Sequence, residues 1–315
     1  MQRKVIFMGT PDFAVESLRQ LLENKINIAA VVTAPDRPAG RGQKLKSSAV
    51  KKYAMENNLQ VLQPENLKDQ EFIEQLSTIG AELFVVVAFR MLPEVVWNMP
   101  PKGTINLHGS LLPQYRGAAP INWAVINGEK KTGATTFFIR HKIDTGDIID
   151  KVEVPIKHKD TAGTVHDRLM IEGAKLLAKT VKNILEGSVS ATPQEKLVEG
   201  DLKEAPKIFK KDCKINWNDT TQKIYNKIRG LSPYPTAWTE IGKDDQKKSL
   251  KIFDVIDHFD GLNHSNEVKT VNDQLYFGTS DGWIEVLQLQ LEGKKRMSVS
   301  DFLKGFFISE WTLLN

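Results

Sequence analysis

An amide, an imidazole and a carboxylate stand where a single site could collect them. Asn106 and His108 close the apolar run Thr104-Ile105-Asn106-Leu107-His108, which continues into Gly109-Ser110-Leu111-Leu112-Pro113, and Asp144 sits downstream in Ile143-Asp144-Thr145-Gly146-Asp147. On an extended strand, residues i and i+2 share a face. Asn106 and His108 therefore point to one side while Ile105 and Leu107 enter a core. Gly109 lets the chain turn sharply, and Leu111-Leu112-Pro113 opens a loop with backbone donors of its own. Taken singly, Asn106 and His108 are ordinary strand-end residues and Asp144 an ordinary Asx-turn former. Together they place an amide, an imidazole and a loop of backbone donors side by side, with a carboxylate that can fold back onto them, the layout of a site at the carboxyl edge of an open α/β sheet.

Other residues compete less well for this chemistry. His141 lies close to Asp144 but reads as an exposed loop histidine before a turn, and His158, His166, His258 and His264 have no motif around them. No serine or cysteine sits beside a base in a nucleophile motif. The one cysteine, Cys213, is distant in sequence from every candidate base; alone it excludes an internal disulfide and any multi-cysteine metal site. Gly9-Thr10-Pro11 lacks the second and third glycines of GxGxxG, and Pro11 removes an amide such a turn needs. With no GxxxxGK[ST] either, a redox dinucleotide and ATP hydrolysis are set aside.

A strand edge of this kind belongs to an open α/β sheet, and the first half alternates accordingly. Strands are expected at 4–8, 28–33, near Val61, at 83–88, 104–108 and 135–139, and helices at 48–57 and 70–78. Thr10 and Pro11 are the expected N-cap and first turn of a helix to about Glu23. The Pro- and Gly-rich segment 34–44 is expected to be an irregular loop. Alternating Ile149, Val152, Val154 and Ile156 suggest a hairpin over 147–157, and 161–185 a long amphipathic helix stopped by Gly187. The pattern describes a Rossmann-like, mostly parallel sheet covered on both faces. Beyond it, strands at 237–241, 249–255, 274–278 and 283–290, with helices at 221–231 and 300–304, suggest a smaller OB-type β-barrel. The expected division is 1–188 for the catalytic domain, 189–206 for a linker and 207–315 for the barrel domain.

The 315 residues carry a net charge of +4, too weak to establish a nucleic-acid partner, but its distribution is uneven. Arg37, Arg41, Lys44, Lys46, Lys51 and Lys52 follow one another without an acid. Lys207, Lys210, Lys211 and Lys214 face only Asp212, and Lys294-Lys295-Arg296 forms a third cluster. Three such clusters suit a discontinuous phosphate-binding track. Apolar stretches such as 83–89 fall far short of the ~20 residues of a membrane span. The N-terminal run reads as a first strand, not a secretory leader, so the cytoplasm is the expected compartment.

Asn106-x-His108-Gly109-Ser110-Leu111-Leu112-Pro113, followed by Tyr115-Arg116-Gly117 and Asp144-Thr145-Gly146, resembles the active-site signature of the folate-dependent formyltransferases. The resemblance implies that Asn106, His108 and Asp144 are the catalytic set, that Ser110, Leu111, Leu112 and Pro113 border the folate, and that backbone around 89–92 holds the pterin. Arg229-Gly230-Leu231-Ser232-Pro233-Tyr234-Pro235-Thr236-Ala237-Trp238 and Gly293-Lys294-Lys295-Arg296-Met297-Ser298 resemble the C-terminal domain of the methionyl-tRNA formyltransferases. The resemblance thus spans essentially the whole chain. It implies transfer of a formyl group from 10-formyltetrahydrofolate to the amino group of initiator methionyl-tRNA, with no metal, no covalent enzyme intermediate and no obligate protein partner. Arg37, Arg41, Lys44, Lys207, Lys210, Lys211, Lys294 and Lys295 are the expected tRNA contacts. A sugar-nucleotide amine is the alternative acceptor, and an RNA-binding module with a degenerate α/β partner is a second alternative, opposed by the intact Asn106, His108 and Asp144. Arg90, where the family often has glycine, and the basic Arg140-His141-Lys142 depart from the pattern and leave the lining of the folate pocket open.

Overall fold

The structure, a computed structural model, describes residues 3–39 and 44–314, with Ala39 and Lys44 described by backbone alone. Along the chain run β1 (Val5–Gly9), α1 (Asp12–Glu23), β2 (Ile28–Val32), β3 (Arg37–Ala39), β4 (Lys44–Lys46), α2 (Ala49–Glu56), β5 (Val61–Leu62), α3 (Gln70–Ile79), β6 (Leu83–Val87), α4 (Glu94–Trp97), β7 (Thr104–His108), β8 (Arg116–Gly117), α5 (Pro120–Ile126), β9 (Lys131–Phe138), β10 (Ile148–Pro155) and α6 (Ala162–Glu186). There follow β11 (Glu204–Ala205), α7 (Thr221–Leu231), β12 (Ala237–Lys243), β13 (Gln246–Phe259), β14 (Val268–Val271), β15 (Gln274–Gly278), β16 (Gly282–Leu291), β17 (Met297–Ser298), α8 (Val299–Gly305) and β18 (Thr312–Leu314). Two compact units are formed from discontinuous segments: Met1–Gly117, Thr132–Val154 and Asp167–Glu204 in the first; Ala118–Lys131, Pro155–His166 and Ala205–Asn315 in the second.

The first unit is built on a sheet of order β10-β9-β7-β6-β1-β2-β5. β1 pairs in parallel with β2 and β6, β6 with β7, and β2 with β5; β9 runs antiparallel to β7. β1 and β6 are buried along their whole length, the state of central strands covered on both faces, and this is why they are uninterrupted apolar runs. α1 turns Phe13, Ala14, Leu18 and Leu21 inward. Gly9 makes its tight approach possible: a Cβ there would lie 2.6 Å from that of Ala14.

Three expectations are corrected. Pro11, not Thr10, occupies the N-cap of α1, with extended ψ of 176° and no side-chain cap; Asp12 in the first turn offsets the helix dipole instead. Segment 34–44 is not irregular throughout, because β3 and β4 pair antiparallel with Arg37 opposite Lys46 and Pro38 opposite Leu45. A ladder of two strands is all edge, so it tolerates Pro38. Below it Asp36 pairs with Lys51 at 2.6 Å and accepts from Gln63, and Lys51 pulls the carboxyl below its ordinary range. The alternation over 147–157 forms one strand, β10, rather than a hairpin, because β9 supplies its partner. Ser48 does cap α2, accepting from Lys51 N.

The second unit holds an antiparallel, curled sheet of order β14-β15-β16-β13-β12-β18, with β17 on β16. Irregular register between β13 and β16 around Ile252–Val255 bends the long strand and increases its twist, giving the barrel-like OB-type surface. Its concave side encloses Trp217, Ile228, Leu250, Ile252, Phe277, Ile284 and Leu289, with Trp217 Nε1 donating to Thr239 at 2.9 Å. α5, unmarked by any long periodicity, packs against α7, where Asn122 donates to Gly230 O at 2.8 Å and a Cβ on Gly230 would meet Ile126 at 2.5 Å. Among the described residues no helix is long and apolar enough to cross a membrane.

Replacing Phe84, fully buried in the first unit's core, with alanine should cost about 3–5 kcal/mol, and replacing exposed Met55 less than about 0.5 kcal/mol; urea unfolding measures both. Cys213 is 2% exposed and burial raises its thiol pKa. The folded chain should therefore react with a disulfide reagent at pH 8 at least ~100-fold more slowly than the urea-unfolded chain.

Candidate active site

β7 delivers Asn106 and His108 to the carboxyl edge of the parallel strands. Pairing on both sides fixes its register: Asn106 lies beside Val86 of β6 and Phe137 of β9, and His108 beside Thr135. Ile105 and Leu107 are buried, as strand alternation demands. Asn106 is half-buried, and its carboxamide makes no hydrogen bond to a described residue.

His108 is only 7% exposed, and both of its ring nitrogens face oxygen. Nε2 is 2.9 Å from Tyr115 O, and Nδ1 is 3.7 Å from Asp144 Oδ2. A carbonyl oxygen only accepts, so Nε2 carries the proton in that contact. Nδ1 lies beyond hydrogen-bond range of the carboxylate yet close enough to feel its charge. Nδ1 is the nitrogen left to serve a reacting group. Asp144 Oδ2 also accepts from Gly117 N at 3.0 Å. The backbone of 115–117 thus touches both members of the pair.

Asp144 holds a φ of +52°, a left-handed conformation aspartate adopts more readily than most residues. What holds it there is Gln194, which is fully buried. Its Nε2 donates to Asp144 O at 2.9 Å and Gly146 O at 2.8 Å, while its Oε1 accepts from Arg116 Nε at 3.0 Å and Nη2 at 2.6 Å. Gly146 must be glycine, since a Cβ would fall 1.6 Å from Phe138 O. Gln194 lies in the segment expected to be a linker and carries no motif; only its polarity beside Pro193 in a stretch without periodicity marks it, which is no signal at all.

The loop after β7 is held by a hydrogen bond from its own Ser110 and by side chains of β9 and β10. Ser110 Oγ donates to Gln114 O at 2.7 Å, Thr135 Oγ1 donates to Ser110 O at 2.7 Å, and Leu112 N donates to Thr135 Oγ1 at 3.1 Å. Lys151 Nζ donates to Leu112 O at 2.7 Å, with burial pushing its pKa down. Leu112 packs inward on Phe137 and Ile148, and Pro113 is buried too. Leu111 is half-buried against Gly133. The side chains of Leu112 and Pro113 therefore support the loop from behind, and Leu111 and the backbone form its accessible surface.

His141 stands apart from the pair, exposed, 3.0 Å from Glu94 and edge-on to Trp97. Arg140 pairs with Asp147 at 2.6 Å. Arg90 donates to Glu65 O at 2.7 Å and to Pro64 O, and burial lowers its pKa. It ties the end of β6 to the segment after β5. Arg37 is exposed on β3; Arg41 and the side chain of Lys44 lie outside the described residues. In the second unit Lys207, Lys210, Lys211, Lys294 and Lys295 are exposed. Lys207 stands 5.4 Å from the Phe209 ring centroid, and Lys210 and Lys214 each stand 5.8 Å from that of Trp238.

Comparison with known proteins finds relatives over nearly the whole chain. Residues 3–181 match the formyl transferase family model, and 207–306 match that of the formyl transferase C-terminal domain. The methionyl-tRNA formyltransferase of Bacteroides thetaiotaomicron is 52% identical over 318 residues, covering 99% of this chain and 98% of that protein. That of Phocaeicola vulgatus is 54% identical over 315 residues, covering 98% and 97%. A sugar 3N-formyl transferase crystallised in the presence of dTDP and 5-N-formyl-THF shares the fold, with a TM-score of 0.63 at 21% identity over 94% of this chain and 100% of that one. By its sequence over nearly its full length, this chain belongs to the formyl transferase family, among the methionyl-tRNA formyltransferases.

Proposed function

We propose that the chain transfers the formyl group of 10-formyltetrahydrofolate to the amino group of initiator methionyl-tRNA. One observation carries the chemistry: a carboxamide with no hydrogen-bond partner among the described residues stands on the same strand as an imidazole whose Nδ1 is left open beside Asp144. The amine attacks the formyl carbon and a C–N bond forms. Negative charge gathers on the formyl oxygen, where Asn106 and protonated His108 donate hydrogen bonds. The attacking nitrogen gives up its proton toward Asp144, directly or through water. The bond from carbon to the folate nitrogen then breaks, that nitrogen takes a proton, and tetrahydrofolate leaves.

The folate lies along the loop at Ser110–Pro113 in this reading, meeting Leu111 and the backbone. The relatives' names support methionyl-tRNA as acceptor, and the neighbour solved with 5-N-formyl-THF supports a folate donor. Residues 1–188 supply the chemistry and 207–315 the tRNA surface, with 189–206 between them, a division supported by the limits of the two family models. Arg37, Arg41 and Lys44 are assigned to the acceptor stem, and Lys207, Lys210, Lys211, Lys294 and Lys295 to longer-range attraction of the backbone. The reading implies the cytoplasm, where charged initiator tRNA is found.

Asn106→Ala, His108→Ala and Asp144→Ala should each lower kcat by at least ~10²-fold, since each removes a transition-state interaction. His141→Ala should stay close to the parent enzyme. The measurement is formylation of charged initiator tRNA, with a UDP-amino-sugar as control acceptor; preferential use of the sugar would replace the tRNA assignment. Neutralising Lys207, Lys210 and Lys211 together should weaken initiator and elongator methionyl-tRNA alike, and more at low salt than at high salt. Arg41→Ala should instead lower kcat/KM selectively for the initiator, narrowing the gap between the two tRNAs.

A further inference from the structure

We propose that Gln194 and Arg116 are positioning residues that set the relation of Asp144 to His108, an inference that rests on the catalytic reading above. Gln194 is fully buried, and each of its polar atoms is used: two donations to the carbonyls of Asp144 and Gly146, and two acceptances from Arg116. A buried amide is costly unless satisfied, and here satisfaction is complete only while Asp144 keeps its left-handed φ of +52°. The neighbouring backbone adds to the hold, because Thr192 exchanges two hydrogen bonds with Ile148, at 2.9 and 2.8 Å.

Arg116 closes the circuit. The carbonyl before it, Tyr115 O, takes His108 Nε2, and the amide after it, Gly117 N, donates to Asp144 Oδ2. Its guanidinium fork then seizes the oxygen of Gln194, the residue holding the Asp144 backbone. Every contact orienting the imidazole and the carboxylate therefore returns to 115–117 or to Gln194. The 3.7 Å gap between Nδ1 and Oδ2 is a property of this ring of hydrogen bonds. It keeps the carboxylate beside the ring without capturing Nδ1 in a bond of its own. Neither Gln194 nor the Arg116 side chain needs to touch a substrate to do this.

Gln194→Ala should lower kcat by roughly 10- to 100-fold with KM for folate and tRNA changed less than about 3-fold, and in an Asp144→Asn background the further loss should be under about 3-fold. Gln194→Glu keeps the Arg116 contact but cannot donate to the two carbonyls, and it should be no better than alanine. The ring ¹⁵N resonances of His108, read directly on the folded protein, should move in Gln194→Ala while those of His141 stay in place. Equal losses in both backgrounds, or unchanged His108 resonances, would overturn the positioning role and leave Gln194 a structural residue. An inactive parent chain would sink the catalytic reading instead, and the His108 resonances would still decide the clamp.

Discussion

The contact between His108 and Asp144 is the constraint that the first unit is arranged around. An imidazole at the end of a buried strand has its backbone fixed by β6 and β9, so it cannot move to meet a partner. The carboxylate must come to it, on a loop bent through a residue of positive φ. That bend is unfavourable for the isolated loop and survives because hydrogen bonds from Gln194 and Gly117 over-determine it. The glycine at 146 follows from the same requirement, since the returning chain passes directly over Phe138 O.

Most of the sheet was legible because its strands obey a single strong rule. β1, β6 and β7 are covered on both faces or alternate cleanly, and 104–108 has the same limits in sequence and structure. α7 likewise begins and ends as its pattern suggests. The misreadings fall where periodicity is not the deciding force. β3 and β4 form across a Pro- and Gly-rich segment because Asp36, Lys51 and Gln63 anchor its base through contacts remote in sequence. Pro11 displaced Thr10 from the cap because proline's fixed φ fits either position, and nothing local decides between them.

The site divides along the same line. Asn106, His108 and Asp144 stand out because, with Gly109–Pro113, they resemble a family signature, and the structure brings His108 and Asp144 to one place. Gln194 does not, since glutamine in a polar stretch carries no motif; its meaning comes entirely from the carbonyls and guanidinium that surround it. The loop residues stand between these cases. Leu111 and Leu112 look equivalent in sequence, yet Leu112 is committed to a small core with Phe137 and Ile148, leaving Leu111 to face outward.

The charge distribution separates two kinds of cation that a count would merge. Lys51, Arg90 and Lys151 are tied to carboxylate or carbonyl oxygens, and Arg90 and Lys151 have their pKa lowered by burial; these hold loops. Lys207 and Lys210 lie over aromatic rings at 5.4 and 5.8 Å, in an attraction worth only about 0.5–1 kcal/mol when exposed. That is enough to keep an ammonium from wandering but too little to withhold it from a phosphate. In the proposed reading the same rings give a flat apolar surface on which a base rests once its phosphate has been drawn in. Cations that hold loops and cations stationed over rings are thus two different uses of charge in a chain whose net charge is only +4.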